Sequence, residues 1–497
     1  VIHSTSTAPP PSVETHNRIP EEPRQMPNIR EILRKRSTWR TGCMSALAIA
    51  GVAAPAIAQS EGDPSAGTAP AAVQPTPSPT LPVQSANASS GPYQRFDTLA
   101  MKGWERPLPK SADTLLGDKG GVRDALADIG IGFIGFGSNA IQYNFLQNDH
   151  GYKGKQLYNA QKLTRTVSNA AIFATYDLGR VGLSGGQFIV SALYTSNSFN
   201  RVDGPNSTRI GRLAYYQPLF GKTVELKIGY FDNGFEFLGT QTGGSLAGGT
   251  LGPQASVPNE VGLSYSGFST PTVDVRINMK NHFYTKFAFQ RSLPPGGATP
   301  EVAANSSGLR FHVPGTGLLM IDEVGWDRAA APGQMGTWVR AGGIYNTTNY
   351  TRFLGGTTKD NWAAYLAVDR QLFQIDDARP NRGLYVGGTV NYAPPQQNFV
   401  SQYYEGRIYG VGLIDKRPFD LASLVANVNV YSKDGLLSRT AVGQQNSKAT
   451  YSAIASYAYR ITPGLYFQPG LGVVVHPIYS PRFGTAFNGY LTLTFFI

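Results

Sequence analysis

The residues with chemical potential in this chain stand in alternation rather than in a cluster. In Val273-Asp274-Val275-Arg276-Ile277-Asn278-Met279 one side of an extended segment is wholly aliphatic, and the other carries an acid, a base and an amide. Val224, Leu226, Ile228 and Tyr230 likewise oppose Glu225 and Lys227, and Ala426, Val428 and Val430 oppose Asn427 and Asn429. Extending the same parity adds Arg212, Lys286 and Arg460, with Asp232 and Glu236 beside a hairpin end. Side chains of this kind along a water-filled wall act by charge and by hydrogen bonding to whatever passes, without bond-making chemistry.

Catalytic and metal-binding patterns are weak. The six histidines are scattered, and His282 and His312 each lack the spacing of metal ligands. The glycine-rich stretch Gly239 to Gly252 precedes no helical pattern, so it reads as a loop and not as a phosphate cradle. The expectation is a non-enzyme with no catalytic residues, no metal and no cofactor. Formal net charge is +11 for 497 residues; residues 1–58 hold 7 of the 43 Lys and Arg and 4 of the 32 Asp and Glu, which leaves an excess of +8 in the remainder. That excess forms no dense basic block, so nucleic acid is not an expected partner.

The elements that position these residues begin late. Residues 1–25 read as upstream sequence translated in error, with Met26 as the start. Residues 26–58 have the build of a secretory signal: Arg30, Arg34, Lys35, Arg36 and Arg40 ahead of the apolar run Met44 to Ala54, then Ala56-Ile57-Ala58 as the cleavage site. Cys43, the only cysteine, lies inside that signal, so an exported chain cut there has no disulfide to lean on. Residues 59–114 form an Ala-, Pro- and Ser-rich stretch, with Pro64, Pro70, Pro75, Pro77, Pro79 and Pro82, expected as a disordered periplasmic linker. Residues 115–497 are the body, opening with a short helix over 121–130 that ends at Gly130.

Beyond that helix every segment reads as strand. Tight turns such as Gln217-Pro218-Leu219-Phe220-Gly221 and Ile461-Thr462-Pro463-Gly464 alternate with long polar loops at Gly239 to Asn259, Ser292 to Ser307, Asn346 to Asn361 and Pro394 to Glu405. Short turns at one rim and long loops at the other are the layout of an outer-membrane barrel. Aromatic pairs at segment ends, Tyr215-Tyr216 and Tyr403-Tyr404, suit an interfacial girdle, as do Tyr230, Phe235 and Trp338. The final strand Tyr490 to Ile497 alternates Leu491, Leu493, Phe495 and Ile497 with Thr492 and Thr494. In hydrocarbon an unpaired backbone group costs several kcal/mol, so such a sheet must close on itself. The body of about 380 residues accommodates, at ~10 residues per spanning strand, roughly 16 antiparallel strands. The expected fold is therefore all-β, a transmembrane antiparallel barrel wide enough for an aqueous lumen, placed in the bacterial outer membrane.

Leu116-Gly117-Asp118-Lys119-Gly120-Gly121-Val122-Arg123, running to Gly130-Ile131, resembles the N-terminal signature of the carbohydrate-selective porins of the OprB family, with Lys119 where the family carries Trp. Similar to the family in order and spacing are Asp177-Leu178-Gly179, Gly229-Tyr230-Phe231-Asp232-Asn233, Arg340-Ala341-Gly342-Gly343-Ile344-Tyr345, Arg382-Gly383-Leu384-Tyr385-Val386-Gly387-Gly388 and Tyr459 to Gly470. The resemblance implies a 16-stranded barrel and passive uptake of small carbohydrates: mono- and disaccharides, with polyols and sugar acids as further candidates. It implies outer-membrane lipid as surroundings, the barrel-assembly machinery as reader of the last strand, and a homotrimer as the common assembly. The pore-lining candidates are Arg212, Glu225, Lys227, Asp232, Glu236, Asp274, Arg276, Asn278, Lys286, Asn427, Asn429 and Arg460. Competing readings are a general or anion-preferring porin on the same scaffold, a lipid hydrolase, and a structural or binding barrel.

Overall fold

A computed structural model of the chain describes residues 91, 93–105, 108–147, 163–197, 206–234, 236–238, 255–265, 267–477 and 483–497. Sixteen strands, numbered in chain order, form one closed antiparallel sheet in which each pairs with its sequence neighbours. The first eight are β1 Ile131–Asn144, β2 Leu163–Asp177, β3 Gln187–Asn197, β4 Ser207–Leu219, β5 Val224–Phe231, β6 Thr270–Asn278, β7 Phe283–Arg291 and β8 Leu318–Arg328. They continue as β9 Thr337–Asn346, β10 Asn361–Gln374, β11 Gly383–Tyr392, β12 Val400–Val411, β13 Leu421–Tyr431, β14 Ala449–Thr462, β15 Leu465–Val475 and β16 Ala486–Phe496. Closure is made by β1 against β16, in register from Phe136↔Phe496 to Asn144↔Asn488. No edge is left to pair with another chain or to sit unsatisfied in hydrocarbon.

Strand parity divides the two faces. Ile172, Val273, Phe289, Val324, Leu366, Ile408, Leu471 and Leu493 point outward and are exposed, an apolar surface too extensive for a protein bathed in water. Their neighbours Asp274, Gln290, Glu323, Arg407 and Thr494 point inward and are buried. The outer surface is greasy and the inner one polar, which is the reverse of a soluble domain and the arrangement a bilayer selects. Asp322 is an exception, a carboxylate on the outer face between Met320 and Val324.

One rim carries tight turns. The Phe220–Lys222 turn joins β4 to β5, Lys280–His282 joins β6 to β7, and Pro463-Gly464 joins β14 to β15. The other rim carries the long connections, among them residues 232–269 with the helix Val257–Glu260, and residues 292–317 with the helix Ala298–Ala304. The expected loop Pro394 to Glu405 is shorter than read, because β12 already begins at Val400. Gly239 to Gly252 and Phe235 lie wholly or largely outside the described residues.

Two corrections follow from where the chain packs. The expected linker over 59–114 is folded from residue 91 on: the helix Gln94–Thr98 buries Phe96 and, with Leu99, packs on Ala127 of the helix Val122–Asp128. Tyr93, Phe96, Leu99 and Trp104 give this end the apolar content that the Pro-rich stretch before it lacks, and so the means to pack. The second correction concerns aromatics. Tyr216, Tyr403 and Trp338 are buried inside the barrel and not in an interfacial girdle. Adjacent residues on a strand face opposite ways, so only one of Tyr403 and Tyr404 can meet lipid, and it is Tyr404.

Candidate functional site

Inward residues of β4 to β7 meet two further pieces of chain inside the barrel. These are the first turns of the long 232–269 connection, and residues 99–105 arriving from the N-terminal helix. Gln187 holds the latter at its base, its side-chain amide donating to the Leu99 and Ala100 carbonyls at 3.1 Å each while Lys102 N–H donates back to it at 3.0 Å. Trp104 then lies beneath Arg212, whose guanidinium carbon is 4.0 Å from its ring centroid, with the Lys227 ammonium 4.9 Å away. A cation over an indole face in a desolvated setting is a strong local anchor.

Most of the residues expected from parity converge here. Arg276 and Lys286 are directly opposite on β6 and β7, and both reach the Glu105 carboxylate, Lys286 at 3.0 Å. Lys227 pairs with Glu236 and stands 3.5 Å from Asp274, its cross-strand neighbour. Arg212 stands 3.5 Å from Asp232. Asn278 accepts from Arg276 Nε at 2.7 Å and donates to Glu225 at 2.8 Å, and the Tyr216 hydroxyl donates to the same Glu225 at 2.5 Å. Burial alone would raise the Glu105 carboxyl, but Lys286 and then Arg276 outweigh it and hold its pKa down at about 2.

The remaining candidates are elsewhere. Asn427 and Asn429 face inward on β13, and Asn429 accepts from Ser256 of the 232–269 connection at 3.3 Å. Arg460 faces inward but at the turn rim, where Asp113 of the N-terminal segment takes its guanidinium, with Nε at 2.9 Å. It is therefore a fastener for that segment and lies apart from the Glu105 cluster.

A second ladder, missed in the sequence, lies across β8 to β12. Tyr284 and Tyr365 both donate to Glu323 at 2.8 Å, and Leu238 N–H donates to it at 3.1 Å. Arg340, its guanidinium carbon 3.6 Å from the Trp338 ring centroid, donates to the Leu238 carbonyl at 2.7 Å and stands 3.3 Å from Asp369. Arg407 closes the row, 2.8 Å from Asp369 and 2.7 Å from Glu405. Two glycines make these reaches possible. A Cβ at Gly387 on β11 would stand 2.6 Å from Arg407 and 2.7 Å from Asp369, and one at Gly342 on β9 would stand 2.4 Å from Tyr365. The ladder holds Leu238 from both sides and so pins the 232–269 connection against the wall.

The far end of that connection is fastened too. Val400 N–H donates to both Glu260 carboxylate oxygens at 3.1 and 3.0 Å, and burial pushes the Glu260 carboxyl up to about 8 against the pull of the Val400 and Phe399 N–H groups. Phe237, Leu238, Val257, Val261 and Leu263 pack with Ile321, Tyr365, Phe399 and Tyr403 in one apolar cluster inside the barrel. The signal for part of this was present. Tyr403, Glu405, Arg407 and Tyr409 alternate with Tyr404 and Ile408, but a loop assigned through Glu405 conceals the period. Asp369-Arg370 puts two charges side by side, where parity alone does not tell which faces in.

A closed barrel of sixteen strands with an apolar exterior, a charged and hydrogen-bonding interior and an infolded long connection is a porin. The chain belongs to the carbohydrate-selective porin, OprB family, whose profile matches residues 161–495. No curated protein matches it in sequence. Among solved structures, the high-pH structure of Pseudomonas putida OprB is similar at a TM-score of 0.66 and 16% identity, covering 78% of this chain and 99% of that one. The low-pH structure of the same protein gives 0.48 at 14% identity over 78% and 100%. An anion-selective porin from Comamonas acidovorans gives 0.45 at 10% identity over 74% and 99%. The protein is thus an outer-membrane channel for passive diffusion of carbohydrates, and its family and fold are those of non-enzymatic pores.

Proposed function

We propose that the preferred solutes are mono- and disaccharides, and that they pass between the charged ladders of β4 to β12 and the mainly uncharged wall of β13 to β16. The observation that carries this reading is the pairing inside the lumen. Arg212, Lys227, Arg276, Lys286, Arg340 and Arg407 all have acidic partners within the barrel. A wall whose charges are mutually neutralised offers many donors and acceptors to hydroxyls without a strong field to favour ions. Asp232, Glu236 and Asp274, with Glu225 and Asn278 bonded to one another, complete that lining, and Asn427 and Asn429 are buried on β13. Insertion through the last strand by the barrel-assembly machinery and assembly as a homotrimer accord with this reading.

The test is conductance of the purified protein in planar bilayers, titrated with a panel of sugars, with liposome swelling alongside. Steady conductance partly blocked by neutral mono- or disaccharides is expected, and Arg276→Ala should alter that block. Equal permeation of sugars and size-matched charged solutes, without block, would move the reading to a general porin. A strongly anionic reversal potential in a salt gradient would move it to an anion-preferring one.

A further inference from the structure

Glu105 is not part of the barrel wall, yet it is the carboxylate in contact with both Arg276 and Lys286. Across β5 to β8 the inward row at this level reads Glu225, Arg276, Lys286, Glu323. The flanking acids are engaged elsewhere. Glu225 takes the Tyr216 hydroxyl and the Asn278 amide, and Glu323 takes two tyrosine hydroxyls and the Leu238 N–H. Glu236 gives its carboxylate to Lys227, and only its backbone carbonyl to Lys286. The two central cations therefore form a carboxylate seat that the wall builds and the N-terminal segment fills.

We propose that Arg276 and Lys286 constitute a binding site for the carboxylate of a sugar acid, with Glu105 as a tethered competitor held in it. The proposal deepens, and rests on, the reading of the protein as a sugar channel: it names aldonates such as gluconate as a further solute class. A guanidinium and an ammonium side by side match a carboxylate. Asn278, 2.7 Å from Arg276, and the face of Tyr284, 4.0 Å beneath its guanidinium, would meet the hydroxylated chain. The seat lies two residues from the end of β6, next to the Lys280–His282 turn, so it faces the rim that carries the tight turns. A solute arriving there must displace Glu105, whose covalent tether gives it an effective concentration on the order of millimolar. Weak, exchangeable binding is what conduction requires.

The experiment compares the full-length protein with Glu105→Gln in planar bilayers at constant KCl, adding gluconate or glucose to either side. Removing the competitor should lower the half-blocking gluconate concentration at least roughly tenfold, a much larger change than in glucose block, and Glu105→Gln with Lys286→Gln should lose the gain. Unchanged gluconate block in Glu105→Gln channels that conduct and are still blocked by glucose would overturn the proposal and leave the sugar reading intact. Absence of glucose block in the unaltered protein would instead strike the sugar reading, and the gluconate comparison would still decide the seat. Should Glu105→Gln fail to insert, Trp104→Ala keeps every charge and loosens the segment. It should show a smaller gain in gluconate block, and no gain there overturns the proposal.

Discussion

From β4 to β12 the inward side chains include Arg212, Lys227, Asp274, Arg276, Lys286, Glu323, Arg340, Asp369 and Arg407, whereas from β13 round to β1 they are mainly amides, hydroxyls and apolar groups such as Val425 and Ile454, with Arg460 charged at the turn rim. On the second side Gln142 donates to Asn488 at 2.9 Å, Ser423 and Ser456 share a hydrogen at 2.9 Å, and Thr494 donates to Ser138 at 3.3 Å. The difference lies in what each wall has to hold. The charged side grips two pieces of chain inside the barrel, the 232–269 connection through Leu238 and the N-terminal segment through Glu105. The neutral side grips less, and among the described residues the hydroxyl of Thr492 on β16 has no hydrogen-bond partner. Buried polar groups need partners, and in a lumen water or a solute hydroxyl supplies them. One wall is occupied in holding the infolded chain, and the other has polar groups left to exchange hydrogen bonds with water.

The sharpest way to break this comparison is to remove the charge that both arginines share. Asp369→Ala leaves Arg340 and Arg407 without their common partner, and breaking such a buried set costs about 3–5 kcal/mol. The heat-modifiability midpoint on electrophoresis should fall accordingly, and channel noise should rise as Leu238 is released. Next in size is Gly387→Ala, whose Cβ has no room between Arg407 and Asp369, an overpacking of about 1–3 kcal/mol read by the same midpoint.

A smaller and graded effect is expected from pH. The Glu260 carboxyl titrates near its ordinary 4.5 when the connection is undocked and at about 8 when docked, so the docked state favours the protonated form. Docking is thus at full strength below about pH 4.5 and weakens as pH rises through about 8. Open-channel fluctuations should grow over that window, and Glu260→Gln should flatten the dependence; an unaltered pH profile in that variant would count against this latch. Smallest of all in stability is Thr492→Val on the neutral wall. It should shift the melting midpoint by less than about 1 kcal/mol equivalent, since an unpartnered hydroxyl contributes little. Any change should fall on sugar block alone. If Thr492→Val and Asp369→Ala proved equally disruptive, the two walls would not differ in the way described.

Much of the barrel is legible in the sequence. Parity in Val273 to Met279 and in Ala426 to Val430 separates exposed Val273 from buried Asp274 and puts Asn427 and Asn429 on the buried face of β13, because each strand has one face in lipid and one in a polar interior. The position of Arg460 at the turn rim beside Asp113 is not legible in the sequence, since alternation reports the face and says nothing of height along the pore. The Arg340–Asp369–Arg407 row stayed hidden because its members come from three strands, and the glycines that let them touch read in the sequence only as turns and flexibility.

By itself the amino-acid order determined the strand period, the alternation of short and long connections, and hence a closed barrel. These follow from local geometry and from the cost of unpaired backbone in hydrocarbon. Only the tertiary structure decided which charges pair, that the end of the expected linker enters the lumen, and that Glu105 lies between Arg276 and Lys286. Such contacts join residues 171 and 181 positions apart, and no local pattern of side chains encodes a meeting at that separation.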